Sequence, residues 1–205
     1  MTNPPFRVWN NFKSFFPVVA ILYAGYQVTN RFHAIEPQRL PMTSLDHAIP
    51  FLLWSVWPYF GLIMLLALPL FIRTERLFRR SVLAITVAVC LNLLCYTVMP
   101  TTYPRPPLPE GDTFSHAAYR WLCSIDTPAN CFPSGHITSP AISYWALAQE
   151  NPMLIWWFRA IFALLALSIL TTKQHYVFDL FGGLASAGIG ILASGWMAAN
   201  RKEAA

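Results

Sequence analysis

Six apolar stretches divide this chain, and a polypeptide divided in that way has few folds open to it. They run over roughly residues 15–29, 50–72, 81–99, 135–148, 153–170 and 176–199. A helix needs about 20 apolar residues to cross the hydrocarbon core of a bilayer. The second, third, fifth and sixth stretches meet that length, and the first and fourth fall short. Inside lipid every backbone polar group must be paired within its own element, so helices are the expected form. Only 11% of the residues are charged and 56% are hydrophobic, where soluble domains carry about 25% charged residues. The expectation is an all-α integral membrane bundle of about six transmembrane helices, a single domain over residues 1–205.

The loop cations set an orientation. With the N-terminus inside, Arg7, Lys13, Arg73, Arg76, Arg79, Arg80, Arg159, Arg201 and Lys202 fall on the cytoplasmic side. Arg31, Arg39, Arg105, Arg120 and Lys173 fall on the other, nine against five, which favours cytoplasmic termini. The run from Arg73 to Arg80 reads as a topology anchor. The net charge of +5 is dispersed beside apolar segments and does not suggest nucleic acid. No small-residue cleavage site follows the first stretch, so it is expected to remain as an anchor. The expected location is a bacterial inner membrane, and the oligomeric state is left open.

The longest loop, residues 100–133, lies on the outer side and holds seven of the seventeen prolines. It is expected to be an ordered, irregular cap rather than a helix. Residues Asp46 to Pro50 read as an interfacial turn leading into the second stretch. Cys123 and Cys131 share the outer loop, and a disulfide between them is expected if that face is oxidising. No internal repeat, P-loop, dinucleotide fingerprint or zinc-type cysteine spacing is present.

The chemistry concentrates at the outer ends of the fourth and sixth stretches. His175 and Asp179 are four residues apart, which puts them on one helix face. A carboxylate beside an imidazole fixes its tautomer and makes the other ring nitrogen a better nucleophile or base. Taken alone, the pair could equally be polar glue between two spans. Pro133-Ser134-Gly135-His136 reads as a capped helix start. Glycine admits a ligand close to the backbone, and free N–H groups at a helix start bind phosphate. His136 could protonate a leaving oxygen. Arg105 and Lys173 would add two cations. These parts suit displacement at phosphorus through a phosphohistidine, with no metal and no cofactor. A metal site of His136, His175 and Asp179 is the lesser alternative.

At these residues the sequence resembles the type 2 phosphatidic acid phosphatase superfamily, which also includes the vanadium haloperoxidases. Pro133 to His136 match its second signature. Ser168, His175 and Asp179 match the third at the correct spacing, and Arg105-Pro106 match the end of the first. The resemblance covers residues 100–183 and agrees with six-span integral membrane members. It implies that His175 is the nucleophile, Asp179 its partner and His136 the acid for the leaving group, with Arg105, Ser134 and Gly135 on the phosphate. Two basic positions of the signatures are replaced here, by Val98 and Ile169. The tract Thr172 to Tyr176 is similar to the branch of inositol phosphorylceramide and sphingomyelin synthases. The implied activity is hydrolysis of a phosphorylated membrane lipid at the outer face. Transfer of a phosphorylated head group to a lipid hydroxyl is the close alternative, and a non-catalytic phospholipid binder or flippase the more distant one.

Overall fold

The computed structural model describes residues Val8–Glu203; Arg7, one of the expected inner cations, lies outside them. The described chain is mostly helical, with one two-residue strand pair and connecting loops. The long elements are α1 (Val8–Arg31), α3 (Val56–Ala67), α4 (Glu75–Val98), α6 (Gly135–Glu150), α7 (Ile155–Thr171) and α8 (Val177–Glu203). Two short helices, α2 (Ser44–Ala48) and α5 (Phe114–Ile125), lie between them. A 3-10 turn, Leu68–Phe71, extends α3. Strand β1 (Gln38–Arg39) pairs in parallel with β2 (Thr101–Thr102).

Helix α5 corrects the expectation of an irregular 100–133 segment. The prolines cluster at its two ends and leave residues 110–127 free of them. That interval is long enough for three turns, and burial of Tyr119 and Leu122 fastens one face of α5 to the bundle. The expected turn at residues 46–50 is instead the short helix α2. It starts with a capping box in which Thr43 Oγ1 accepts from Asp46 N–H and Asp46 Oδ2 accepts from Thr43 N–H.

Hydrogen bonds sort the helix ends into two layers. At one end, Leu52 N donates to Thr171 O, Ser134 N to Asp179 O and the Tyr96 hydroxyl to Pro133 O. Asn30, near the end of α1, accepts there from Thr127 N. At the opposite end Asn11 donates to the carbonyls of Leu70 and Ile72, and Glu150 accepts from Arg73 N and Thr74 N. Successive long helices therefore alternate in direction. The starts of α6 and α8 meet at the same end as the finish of α4.

Packing follows the rule for helices in lipid, where small residues let backbones approach. Ala84 and Ala88 of α4 face Ala187 and Gly190 of α8. A Cβ on Gly190 would stand 2.4 Å from Ala84 O. Large apolar side chains point outward, with Leu192 74%, Trp156 71% and Trp196 67% exposed. Such a surface suits a lipid surround rather than water. Among the described residues, three helical segments are long and apolar enough to span: Leu53–Phe71, Glu75–Val98 and Val177–Asn200. Helix α7 is apolar but 17 residues long. Helix α6 has 16 residues and buries Thr138, Ser139 and Ser143, and its length is about 24 Å at 1.5 Å per residue. Helix α1 is 24 residues long but begins with Asn10, Asn11 and Lys13. The six apolar stretches thus correspond to six helices, of which three qualify as spans by length and composition.

Gly190→Ala is expected to lower stability by about 1–3 kcal/mol, because the added methyl must part α4 from α8. Gly188→Ala, where nothing lies within 4 Å, is the control and should not destabilise. Thermal unfolding of both variants in detergent, followed by tryptophan fluorescence, checks the difference.

Candidate active site

The turn between α7 and α8 brings His175 into place. Helix α7 ends in a Schellman motif: Gln174 N donates to Ile169 O and Lys173 N to Leu170 O. The left-handed position, usually glycine, is Lys173 at φ 55°. Its ammonium donates to the carbonyls of Asp46 and Ile49. Lys173 therefore ties α2 and the approach to α3 against the turn, where the sequence reading expected a phosphate ligand. The Asp46 carboxylate caps α8 by accepting from Val177 N at 2.8 Å.

Three motif residues form a line. Asp179 Oδ2 accepts from Tyr176 N at 2.8 Å and lies 3.1 Å from His175 Nδ1. His175 Nε2 lies 3.0 Å from His136 Nδ1. His136 Nε2 lies 2.7 Å from the Tyr59 hydroxyl of α3. His175 and Asp179 are 3% and 0% exposed, so the pair is shielded from water. The two helix starts can meet because α8 carries glycine where they touch. A Cβ on Gly183 would fall 2.6 Å from Ser134 O. Gly135 opens α6; Ile137 N and Thr138 N donate to Ser134 O, and the N–H groups of Gly135 and His136 have no carbonyl of the helix to reach.

Arg105 comes from the segment before α5. Its guanidinium donates to the carbonyls of Asp126 and Thr127 and to Gln174 Oε1, and lies 3.8 Å from Asp126 Oδ2. Asp126 Oδ1 accepts from the Tyr26 hydroxyl of α1 at 2.7 Å. Burial pushes the Asp126 carboxyl above the usual carboxylate range, against the pull of Tyr26 and Arg105. The replaced basic positions do not supply further cations. Ile169 is 0% exposed within an apolar cluster, and Val98 sits on an exposed face of α4.

Among the described residues, four buried side-chain polar atoms lack a partner: Arg105 Nε, Ser134 Oγ, Asp179 Oδ1 and Asn92 Oδ1. Three belong to the motif residues. Buried polar groups are normally satisfied; Arg105 Nε and Ser134 Oγ are donors suited to an anion's oxygens, whereas Asp179 Oδ1 can only accept. A cavity of about 290 Å³ reaches Gly135 and His136 at the start of α6, lined by Leu22, Val89, Leu122, Tyr59 and Asp126 among others. Most of its wall is apolar.

The expected Cys123–Cys131 disulfide is absent, and both thiols are free. Cys131 lies buried under Tyr103 and Tyr176 and donates to Pro128 O at 3.2 Å, whereas Cys123 packs with the Tyr119 cluster. Among the described residues, the trio whose atoms could share a metal is Cys131, His175 and Asp179, within 4.8 Å of one another, rather than the expected His136, His175 and Asp179. Burial pushes the Cys131 thiol well up, and a protonated thiol is a poor ligand. Tyr59, Tyr26, Asp126 and Gln174 were not singled out from the sequence. Only Asp126 carried a signal, as one of few carboxylates in an apolar chain.

Residues 47–193 match the sequence model of the PAP2 superfamily. The match covers well over half of the chain, and the protein belongs to that superfamily. Membership points to a phosphatase-type activity, on a chain whose three long apolar helices suit a membrane protein. No curated protein and no solved structure matches the chain.

The raised Asp126 carboxyl makes stability depend on pH. The folded state holds this proton more tightly than the unfolded chain does. Its contribution is complete below the unfolded pKa and is lost as pH rises through the folded one. Asp126→Asn should therefore flatten the decline of stability with rising pH. Thermal unfolding of wild type and variant across the acid-to-neutral range reads this directly.

Proposed function

We propose that this protein hydrolyses a phosphorylated membrane lipid at the outer face of the membrane through a phosphohistidine at His175. The observation that carries the reading is the pair of unpartnered buried donors, Arg105 Nε and Ser134 Oγ, on residues flanking the His136–His175–Asp179 line. The apolar cavity ending at His136 favours a substrate with a hydrocarbon chain. Helices α1, α3, α4, α6, α7 and α8 would be the six spans. The lysine and arginine balance favours cytoplasmic termini, and with them an active site on the periplasmic side of what we read as a bacterial inner membrane.

In the first half-reaction the His175 Nε2 lone pair forms a bond to phosphorus while the phosphorus–oxygen ester bond breaks. The leaving oxygen takes a proton from His136. In the second, water attacks the phosphorus, gives its proton to His136, and the phosphorus–nitrogen bond breaks. Asp179 orients His175 and stabilises its positive charge. Arg105, Ser134 Oγ and the first N–H groups of α6 hold the phosphate oxygens. No step calls for a metal.

A second reading, transfer of a phosphorylated head group to a lipid hydroxyl, is favoured by the charge of the site. Arg105 is its cation, and Asp126 lies beside it. A phosphodiester carries about one negative charge and a monoester nearly two at neutral pH, so a site with few cations suits a diester. The two reactions share the His175 adduct and differ in what attacks it.

The test is incubation of purified protein with phosphate-labelled lipid extract, following free phosphate and new labelled lipids. Hydrolysis predicts free phosphate, and transfer predicts a new labelled lipid with little free phosphate. His175→Ala should lower either product on the order of a thousandfold or more. Unchanged turnover in folded His175→Ala protein removes the covalent reading. Retained lipid binding with no turnover in wild type favours a non-catalytic phospholipid binder or flippase.

A further inference from the structure

His136 is held from both sides, by His175 at Nδ1 and by Tyr59 at Nε2. The far end of the line decides which groups donate. The Asp179 carboxylate only accepts, so His175 Nδ1 carries a proton toward it. Neutral His175 then has a bare Nε2, which accepts from His136 Nδ1–H. Neutral His136 has in turn a bare Nε2, and the Tyr59 hydroxyl donates to it.

We propose that Tyr59 is the positioning residue for the acid–base histidine, holding His136 Nδ1–H against His175 before substrate binds and partnering both tautomers of His136 during turnover. The proposal rests on the covalent reading above. His136 caps the nucleophilic nitrogen: phosphorus cannot lie between two nitrogens 3.0 Å apart. Phosphate binding must therefore break the His136–His175 bond, which frees the nucleophilic lone pair.

The protons then balance as follows. With the anionic substrate bound, His136 has taken one proton from solvent and is an imidazolium. Its Nε2–H now donates to Tyr59, whose hydroxyl rotates to accept. Its Nδ1–H passes to the leaving oxygen as the phosphorus–nitrogen bond forms and the phosphorus–oxygen bond breaks. His136 is left neutral, with its proton on Nε2 and a bare Nδ1. That nitrogen takes the proton of the water or hydroxyl that attacks the phosphohistidine. A hydroxyl can serve as donor in one state and acceptor in the other, which a carbonyl cannot. Helix α3 fixes the phenol, whose ring stands 5.1 Å from the His136 ring and 6.0 Å from that of Phe60. The titratable and charged groups facing His136 are Tyr59 from α3, His175 from the α7–α8 turn and Arg105 from the segment before α5; Asp126 and Tyr26 line the same cavity.

Tyr59→Phe tests this, because it keeps the ring contacts and removes only the hydroxyl. Histidine nitrogen resonances are read by NMR in 15N-labelled protein in micelles, empty and with inorganic phosphate. Turnover of phosphatidic acid in mixed micelles is read across pH. In empty wild type His136 should carry its proton on Nδ1, and phosphate should move protonation to both nitrogens. In Tyr59→Phe the empty site should show mixed tautomers of His136. Its kcat should fall on the order of tenfold with KM within about twofold. The basic limb of the profile should move to lower pH, since the imidazolium loses a charge-assisted bond. A proton on Nε2 in empty wild type, or an unchanged tautomer and profile in Tyr59→Phe, overturns the proposal. If wild type leaves phosphatidic acid untouched, the covalent reading fails for that lipid, and the tautomer of His136 in the empty site still decides the role of Tyr59.

Discussion

The start of α8 pressed against the start of α6 is the contact on which the site depends. Ser134 N donates to the backbone of Asp179, while the Asp179 side chain reaches His175 and accepts from the Tyr176 N–H just before α8. One carboxylate thus caps a helix and orients a histidine. A second, Asp46, caps the same helix from α2. In a setting with little water these bonds have no solvent competitor, so each is worth more and its loss would cost more. The approach is close because Gly183 has no side chain to hold the backbones apart.

Around that junction the bundle is arranged to keep polar groups paired. Asn92 donates to Thr138, which donates to the carbonyls of Ser134 and Gly183. Tyr96 holds Pro133 O, and Asn30 holds the loop after α5. Arg80 reaches Ser194 while its guanidinium covers Trp145. Apart from Asn92 Oδ1, the unpartnered buried side-chain atoms among the described residues fall on motif residues, as Arg105 Nε, Ser134 Oγ and Asp179 Oδ1.

The charge of the site follows from which cations arrive. Arg105 is engaged by carbonyls, Gln174 and Asp126, and Lys173 by the carbonyls before α3. The guanidinium is held as a planar, pre-oriented group with Nε still free, a geometry suited to phosphate oxygens. Lys173, by contrast, occupies a left-handed position normally given to glycine. Its side chain repays that strain by tying two loops together.

The sequence by itself determined the helical class, the membrane character and the three motif residues that meet in space. Those properties rest on local patterns: apolar run length, a four-residue spacing and a Pro-Ser-Gly start. It also placed the motif ends on one side, because alternation of the long helices requires it. Only the tertiary structure decided that residues 114–125 form a helix, that Cys123 and Cys131 stay apart, and that Lys173 turns away to Asp46 and Ile49. Only it brought Tyr59 to His136 across 77 residues and Tyr26 to Asp126 across 100. These pairings depend on how helices rotate and how loops close. No local pattern encodes either, because each side chain's partner is chosen by packing between segments distant in the chain.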